Sequence, residues 1–87
     1  PYLPHGANGI IVGHDAYIGS NITIFQQVTI SQGGVKIMDD VMLGAGAKVL
    51  PGVTIGNNVK VGANCVVVED VPDNATVVLP KPRIIIK

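Results

Sequence analysis

The chain has no tryptophan, a single phenylalanine (Phe25) and two tyrosines (Tyr2 and Tyr17). An aromatic core is therefore excluded, and the interior has to be built from Val, Ile and Ala. Cysteine is nearly absent too: Cys65 stands alone, which rules out an internal disulfide framework and fits a reducing, cytoplasmic setting. Six basic and six acidic residues cancel and are scattered singly, so no surface field would draw nucleic acid or an anionic membrane. No apolar run approaches the roughly 18 residues of a membrane-spanning helix, and the first residues lack the charged and apolar regions of a signal peptide. The two histidines, His5 and His14, and the acidic residues have no ligand spacing, so no metal site is expected.

What is present is a repeat. Read in sixes from Val12, the chain gives VGHDAY, IGSNIT, IFQQVT, the seven-residue ISQGGVK, then IMDDVM, LGAGAK, VLPGVT, IGNNVK, VGANCV and VVEDVP. The first position is always Val, Ile or Leu. The fifth is small or aliphatic, running from Ala16 and Ile22 through Gly34 or Val35 to Cys65 and Val71. Third and fourth positions are mostly polar or Gly, as in Ser20-Asn21 and Asn57-Asn58, which suits a corner because Asn, Asp and Gly tolerate a positive φ. A helix would need apolar spacings of three and four, and an antiparallel sheet would need sustained alternation with hairpin turns. The period of six instead predicts an all-β, parallel β-helix in which successive coils stack at strand spacing, about 4.8 Å.

With ten such units, the chain resembles the hexapeptide-repeat acyltransferase family. The resemblance implies a left-handed parallel β-helix with three hexads per triangular coil. One domain over residues 1–87 is expected: a leading loop to residue 11, coils over 12–72 and a closing segment over 73–87. A chain this short buries only about 60–65 percent of its unfolded surface, so subunit contacts would help it. Phe25, Met38, Leu50 and Met42 are large apolar residues at outward positions, as expected of a subunit interface, and the family implies a homotrimer.

Stacking at eighteen residues, with one inserted residue near Gly33-Gly34, places Phe25-Gln26, Gly44-Ala45 and Gly62-Ala63 at one corner. Small side chains stacked there leave backbone groups approachable by a long, extended ligand. The same count puts His5 in a column with Thr23, Met42 and Lys60, just before that corner. His14 falls at another corner, in a column with Gln32, Pro51 and Glu69.

Acyl transfer from a thioester to a hydroxyl needs a base for the hydroxyl proton, and His is suited to it. In serine acetyltransferases and related surface-polysaccharide acetyltransferases a His before a short loop is that base, and the segment from His5 to Gly13 resembles theirs. Ile24 to Ile30 resembles the family's I-x-Q-x-V-T-I motif. Gly44 to Lys48 and Gly62 to Val67 resemble the motifs that line its coenzyme A groove. Val77 to Ile84 resembles its closing loop, which implies that Lys81 and Arg83 reach the coenzyme's phosphates. The resemblance thus implies an acetyl-CoA-dependent O-acetyltransferase with His5 catalytic and Gln26, Gly44, Ala45, Gly62, Ala63, Lys81 and Arg83 on the co-substrate.

Two elements depart from the serine acetyltransferase pattern. Pro4 stands where those enzymes carry Asp before the His, and Ser31 to Gly34 runs almost directly into the next hexad where they have a longer loop with an Arg-His-Pro element. Both elements help that family hold serine, so the acceptor stays open between serine, a sugar and another alcohol. A non-catalytic scaffold or oligomerisation module is the alternative of another class.

Overall fold

The structure, a computed structural model, describes residues 2–4 and 6–79. Each repeat contributes a two-residue strand: β1 (Ile11–Val12), β2 (Tyr17–Ile18), β3 (Thr23–Ile24), β4 (Thr29–Ile30), β5 (Lys36–Ile37), β6 (Met42–Leu43), β7 (Lys48–Val49), β8 (Thr54–Ile55), β9 (Lys60–Val61), β10 (Val66–Val67) and β11 (Thr76–Val77). Each strand from β1 to β7 pairs in parallel with the third strand after it, and β9 pairs with β11. The result is a three-faced β-solenoid with faces β1-β4-β7-β10, β2-β5-β8 and β3-β6-β9-β11.

The strands are short because the hexad allots two residues to each face and the rest to corners. Each strand places its sixth-position residue outward and the next first-position residue inward, the alternation that pleated backbone imposes. Ile24, Ile30, Ile37, Leu43, Val49, Ile55, Val61 and Val67 are buried in this way. Fifth-position residues fill the interior beside them: Ile22, Val28, Val41, Ala47, Val53, Val59 and Cys65 are also buried. Among the described residues no polar side chain enters this core. At the first described coil the rule weakens, because no described residue stacks above β1 and β2: Val12 is exposed and Ile18 half-buried.

Corners are closed by residues in the left-handed region, at the fourth position of the hexad. Asn21, Gln27, Asp40, Asn58, Asn64 and Asn74 have φ between 57° and 64°, and Gly46 and Gly52 do the same at 74° and 78°. Side chains stitch one corner from coil to coil. Ser20 N–H donates to Asp39 Oδ1, Asp39 N–H to Asn57 Oδ1, and Asn57 N–H to Asp73 Oδ1, at 2.8, 3.0 and 2.7 Å.

Register locates the irregularities. β1 pairs with β4 at an offset of 18 residues (Ile11 with Thr29), whereas β4 pairs with β7 at 19 (Thr29 with Lys48), so the inserted residue lies between β4 and β5 as expected. Val35, fully buried, takes the fifth position, and Gly34 is the extra residue in an exposed corner. Asp15, one coil above, accepts the N–H groups of both Gly33 and Gly34 at 3.1 and 3.0 Å.

Two expectations are corrected. Val71 takes a first position and not the expected fifth, since it forms a bridge with Ile55, a first-position residue. The last coil is therefore two residues short: β9 pairs with β11 at an offset of 16 (Lys60 with Thr76). The repeat runs on past Pro72 as VPDNAT and reaches Val77, with Asn74 turning the corner at φ 64°. The second correction is at the other end. The column of Thr23, Met42 and Lys60 is continued by Tyr2, which bridges Thr23 and exchanges hydrogen bonds with its neighbours, Tyr2 N–H to Ile22 O at 2.6 Å and Ile24 N–H to Tyr2 O at 2.8 Å; the expected occupant, His5, lies outside the described residues. Between Tyr2 and Ile11 the offset falls from 21 to 18, so the first coil carries three extra residues at a single corner.

Candidate functional site

That enlarged corner lies at the top of the Gly-Ala edge. It spans residues 3–10, described except for residue 5, and covers the corner between β3 and β4. Gly6 N–H donates to Leu3 O at 3.0 Å and Ile10 N–H to Ala7 O at 3.3 Å, closing two tight turns. Below it, Gln27 N–H donates to Asn8 O at 2.9 Å, Gly46 N–H to Gln26 O at 3.0 Å and Asn64 N–H to Ala45 O at 2.8 Å. Phe25-Gln26, Gly44-Ala45 and Gly62-Ala63 therefore stack as the repeat count requires.

Stacking demands some of the small residues by itself. A Cβ on Gly44 would sit 2.7 Å from Ala63 N and 2.9 Å from the Gly62 carbonyl carbon, so glycine is needed there for one coil to close on the next. Gly62 is less confined, with Val77 O at 3.2 Å as the nearest atom. The alanines are different: Ala45 is half-buried and Ala63 exposed, and they form the open part of the edge. Lys60 and Lys48, both exposed, flank it on the adjoining faces.

Gln26 supplies an observation that the sequence did not offer. Its Oε1 is buried and has no hydrogen-bond partner among the described residues. A buried acceptor left open costs about 1–3 kcal/mol, and here the unfilled acceptor lies at the corner the sequence singled out. Phe25, beside it, is half-buried, and its main-chain N–H donates to Leu43 O at 3.1 Å.

Three of the expected site residues, His5, Lys81 and Arg83, lie outside the described residues. His14 is exposed in a corner of the opposite edge, where Gly13 N–H bonds Ile30 O at 2.7 Å, away from the Gly-Ala column. Cys65 is buried, with its Sγ 3.7 Å from Val77 O, as expected of a small core residue. The described residues contain no group of His, Cys, Asp and Glu able to hold a metal and no helix long and apolar enough to cross a membrane. A concavity of about 320 Å³ lies elsewhere, at the short last coil, lined by Val66 to Pro72, Thr76 and Val77.

With this geometry in place, comparison with known proteins is specific. A family described as bacterial transferase hexapeptide (six repeats) matches residues 34–69. Serine acetyltransferase from Bacillus pumilus is 39% identical over 93 residues, covering 99% of this chain, and that from Staphylococcus xylosus is 43% identical over 88% of it. The chain belongs to the hexapeptide-repeat transferases. Within that family it is a serine acetyltransferase-like domain, spanning 42% and 38% of the length of those two relatives. Solved serine acetyltransferases match in structure as well. Isoform 3 from Entamoeba histolytica, in complex with cysteine, gives a TM-score of 0.85 at 37% identity, covering 98% of this chain and 33% of its own. The Neisseria gonorrhoeae enzyme in complex with serine gives 0.82 at 44% identity, covering 93% of this chain and 36% of its own.

Proposed function

We propose that this domain transfers an acetyl group from acetyl-CoA to an acceptor hydroxyl, with His5 as general base. The observation that carries the reading is the match of nearly the whole coil to serine acetyltransferases in both sequence and structure. The Gly-Ala edge supports it independently. Ala45 and Ala63 give an extended thioester substrate access to main-chain groups, and the open Gln26 Oε1 leaves an acceptor for a donor at that edge. Gly44 and Gly62 keep the edge free of side chains, and Lys81 and Arg83 take the phosphates of the co-substrate.

Chemically, His5 takes the proton of the acceptor hydroxyl as its oxygen attacks the thioester carbonyl carbon. The carbon–sulfur bond then breaks, and the proton held by the imidazole passes to the departing thiolate. An acetyl ester and free CoA thiol result, with no covalent enzyme intermediate. Holding both substrates at one corner accounts for much of the rate, because oriented reactants avoid the entropy of encounter, and a main-chain N–H of the edge stabilises the oxyanion.

Serine is the first acceptor to test, and a sugar hydroxyl the second. Pro4 stands where serine acetyltransferases carry an Asp, so no carboxylate immediately precedes His5 in the sequence. We also propose a homotrimer with sites between subunits, on the strength of exposed apolar residues on the outer faces: Leu50, Val66 and Val68 cluster on one, and Tyr2 and Val78 lie on another.

The test is free-thiol release from acetyl-CoA with a panel of serine, sugars and simple alcohols, for the parent and for His5→Ala. Loss of His5 is expected to lower turnover by roughly 10²–10⁴-fold, the usual contribution of general-base catalysis. Activity within a few-fold of the parent would remove His5 from the mechanism. If no acceptor releases thiol and calorimetry detects no acetyl-CoA binding, the domain is a scaffold.

A further inference from the structure

We propose that Asn8 is a site of spontaneous covalent modification, in which Asn8 and Gly9 cyclise and open to aspartate and isoaspartate. The chemistry needs an unhindered main-chain nitrogen next to a free asparagine side chain. Gly9 N attacks Asn8 Cγ, ammonia leaves, and a five-membered succinimide forms. Water then opens the ring at either carbonyl, giving aspartate or its isomer with the main chain running through the former side chain.

Of the six asparagines in the sequence, only Asn8 precedes glycine. Asn8 and Gly9 are both exposed. Among the described residues Gly9 N–H has no acceptor and the Asn8 amide no hydrogen-bond partner, so neither reacting group has to be released first. Most other asparagines are held. Asn21 Nδ2 donates to Asp40 Oδ1 at 2.7 Å, Asn58 Nδ2 donates to Asn74 Oδ1 at 2.9 Å, and Asn57 Oδ1 accepts from Asp39 N–H at 3.0 Å. Asn64 is exposed, but its successor Cys65 is buried and its N–H is bonded to Gly62 O at 3.3 Å.

Glycine cannot readily be replaced here by a slower-reacting residue. Gly9 has φ 68°, and a Cβ would lie 2.9 Å from Gln27 Cγ, so the geometry that seats this corner on the coil below also maintains the reactive pair. In isoaspartate the main chain runs through the former side-chain methylene and Cγ, and the Asn8 carbonyl that receives Gln27 N–H at 2.9 Å becomes a free carboxylate outside the main chain. The product therefore loosens the corner directly above Gln26 and Gln27.

The experiment ages the folded protein in mildly alkaline buffer, digests it, and follows by mass spectrometry the amide-to-acid mass gain at each asparagine. Fragmentation that distinguishes isoaspartate is applied to the peptide containing Asn8. A synthetic peptide of residues 6–11 serves as positive control, and Asn8→Gln, whose longer side chain disfavours the ring, as negative control. Conversion at Asn8 is expected to exceed that at all other asparagines together, with isoaspartate the larger product and with faster amide exchange at Gln27 in the converted fraction. The proposal is overturned if Asn8 stays intact in the folded protein while the peptide converts, or if another asparagine leads.

Discussion

Two glycines at the same hexad position carry unequal loads. Gly44 faces the backbone of the next coil at 2.7 and 2.9 Å, whereas the nearest atom to a Cβ on Gly62 is 3.2 Å away. The atoms a Cβ there would meet are main chain, which cannot yield as a side chain would, so overpacking should cost about 1–3 kcal/mol. Gly44→Ala is expected to lower the urea midpoint clearly, and Gly62→Ala to lower it less. Equal midpoints for the two variants would show that coil spacing adjusts freely. Gln27 is the other telling residue. It holds φ 58° without being Asn, Asp or Gly, in a region that costs ordinary side chains of order 1 kcal/mol, and its N–H bond to Asn8 O helps keep it there.

The inserted residue between β4 and β5 is absorbed by one carboxylate on the coil above. Asp15 gathers the N–H groups of Gly33 and Gly34, both at positive φ. Asp15→Ala should speed hydrogen exchange at these two amides and leave Val35, buried beside them, protected; Asp15→Asn, with one acceptor oxygen remaining, should fall between. Unchanged exchange in the alanine variant would mean that the corner is held by its backbone alone. This element also marks how far the sequence can be read. The insertion was legible because a glycine pair interrupts a strict period and Val35 restores it. The two-residue shortening after β10 was not, because VVEDVP places Val at both the first and fifth positions and so passes for a whole hexad. Only the bridge from Ile55 to Val71 separates the alternatives. VPDNAT, with Asn at the turning position and Ala at the fifth, was the signal that could have found it. At the Gly-Ala edge the stacked residues followed from counting alone. Counting failed above it, since three extra residues in the first coil shift the register by an amount that no side-chain pattern records, and it could not show that Gln26 Oε1 is left open.

At the scale of the molecule, the core is a single column of Val, Ile, Leu, Ala and Cys side chains in which each coil contacts only its neighbours. Such stacks gain stability from nearest-neighbour interfaces, and a chain with so few coils has few of them. Further apolar burial is available on the outside. Tyr2, Ile11, Tyr17, Val66, Val68, Val78 and Leu79 all have more than 45% of their surface exposed. Sedimentation at micromolar concentration is expected to give the mass of three chains, and Val66→Asp with Val68→Asp to shift it toward one. A parent that sediments as a monomer would defeat the trimer and the shared site with it.

A stack of equal coils has no internal reason to stop, because each end offers the next layer a level rim of unpaired main chain. The sixteen-residue coil removes that levelness. On two faces the described strands continue to β10 and β11, while on the third they stop at β8 and a lone bridge to Val71. On that third face, a layer stacked beyond the described residues would find one bridged residue to pair with in place of a two-residue strand. Dropping two residues from one turn thus thins the pairing on one face to a single bridge, an effect written into the length of the coil and independent of which side chains it carries.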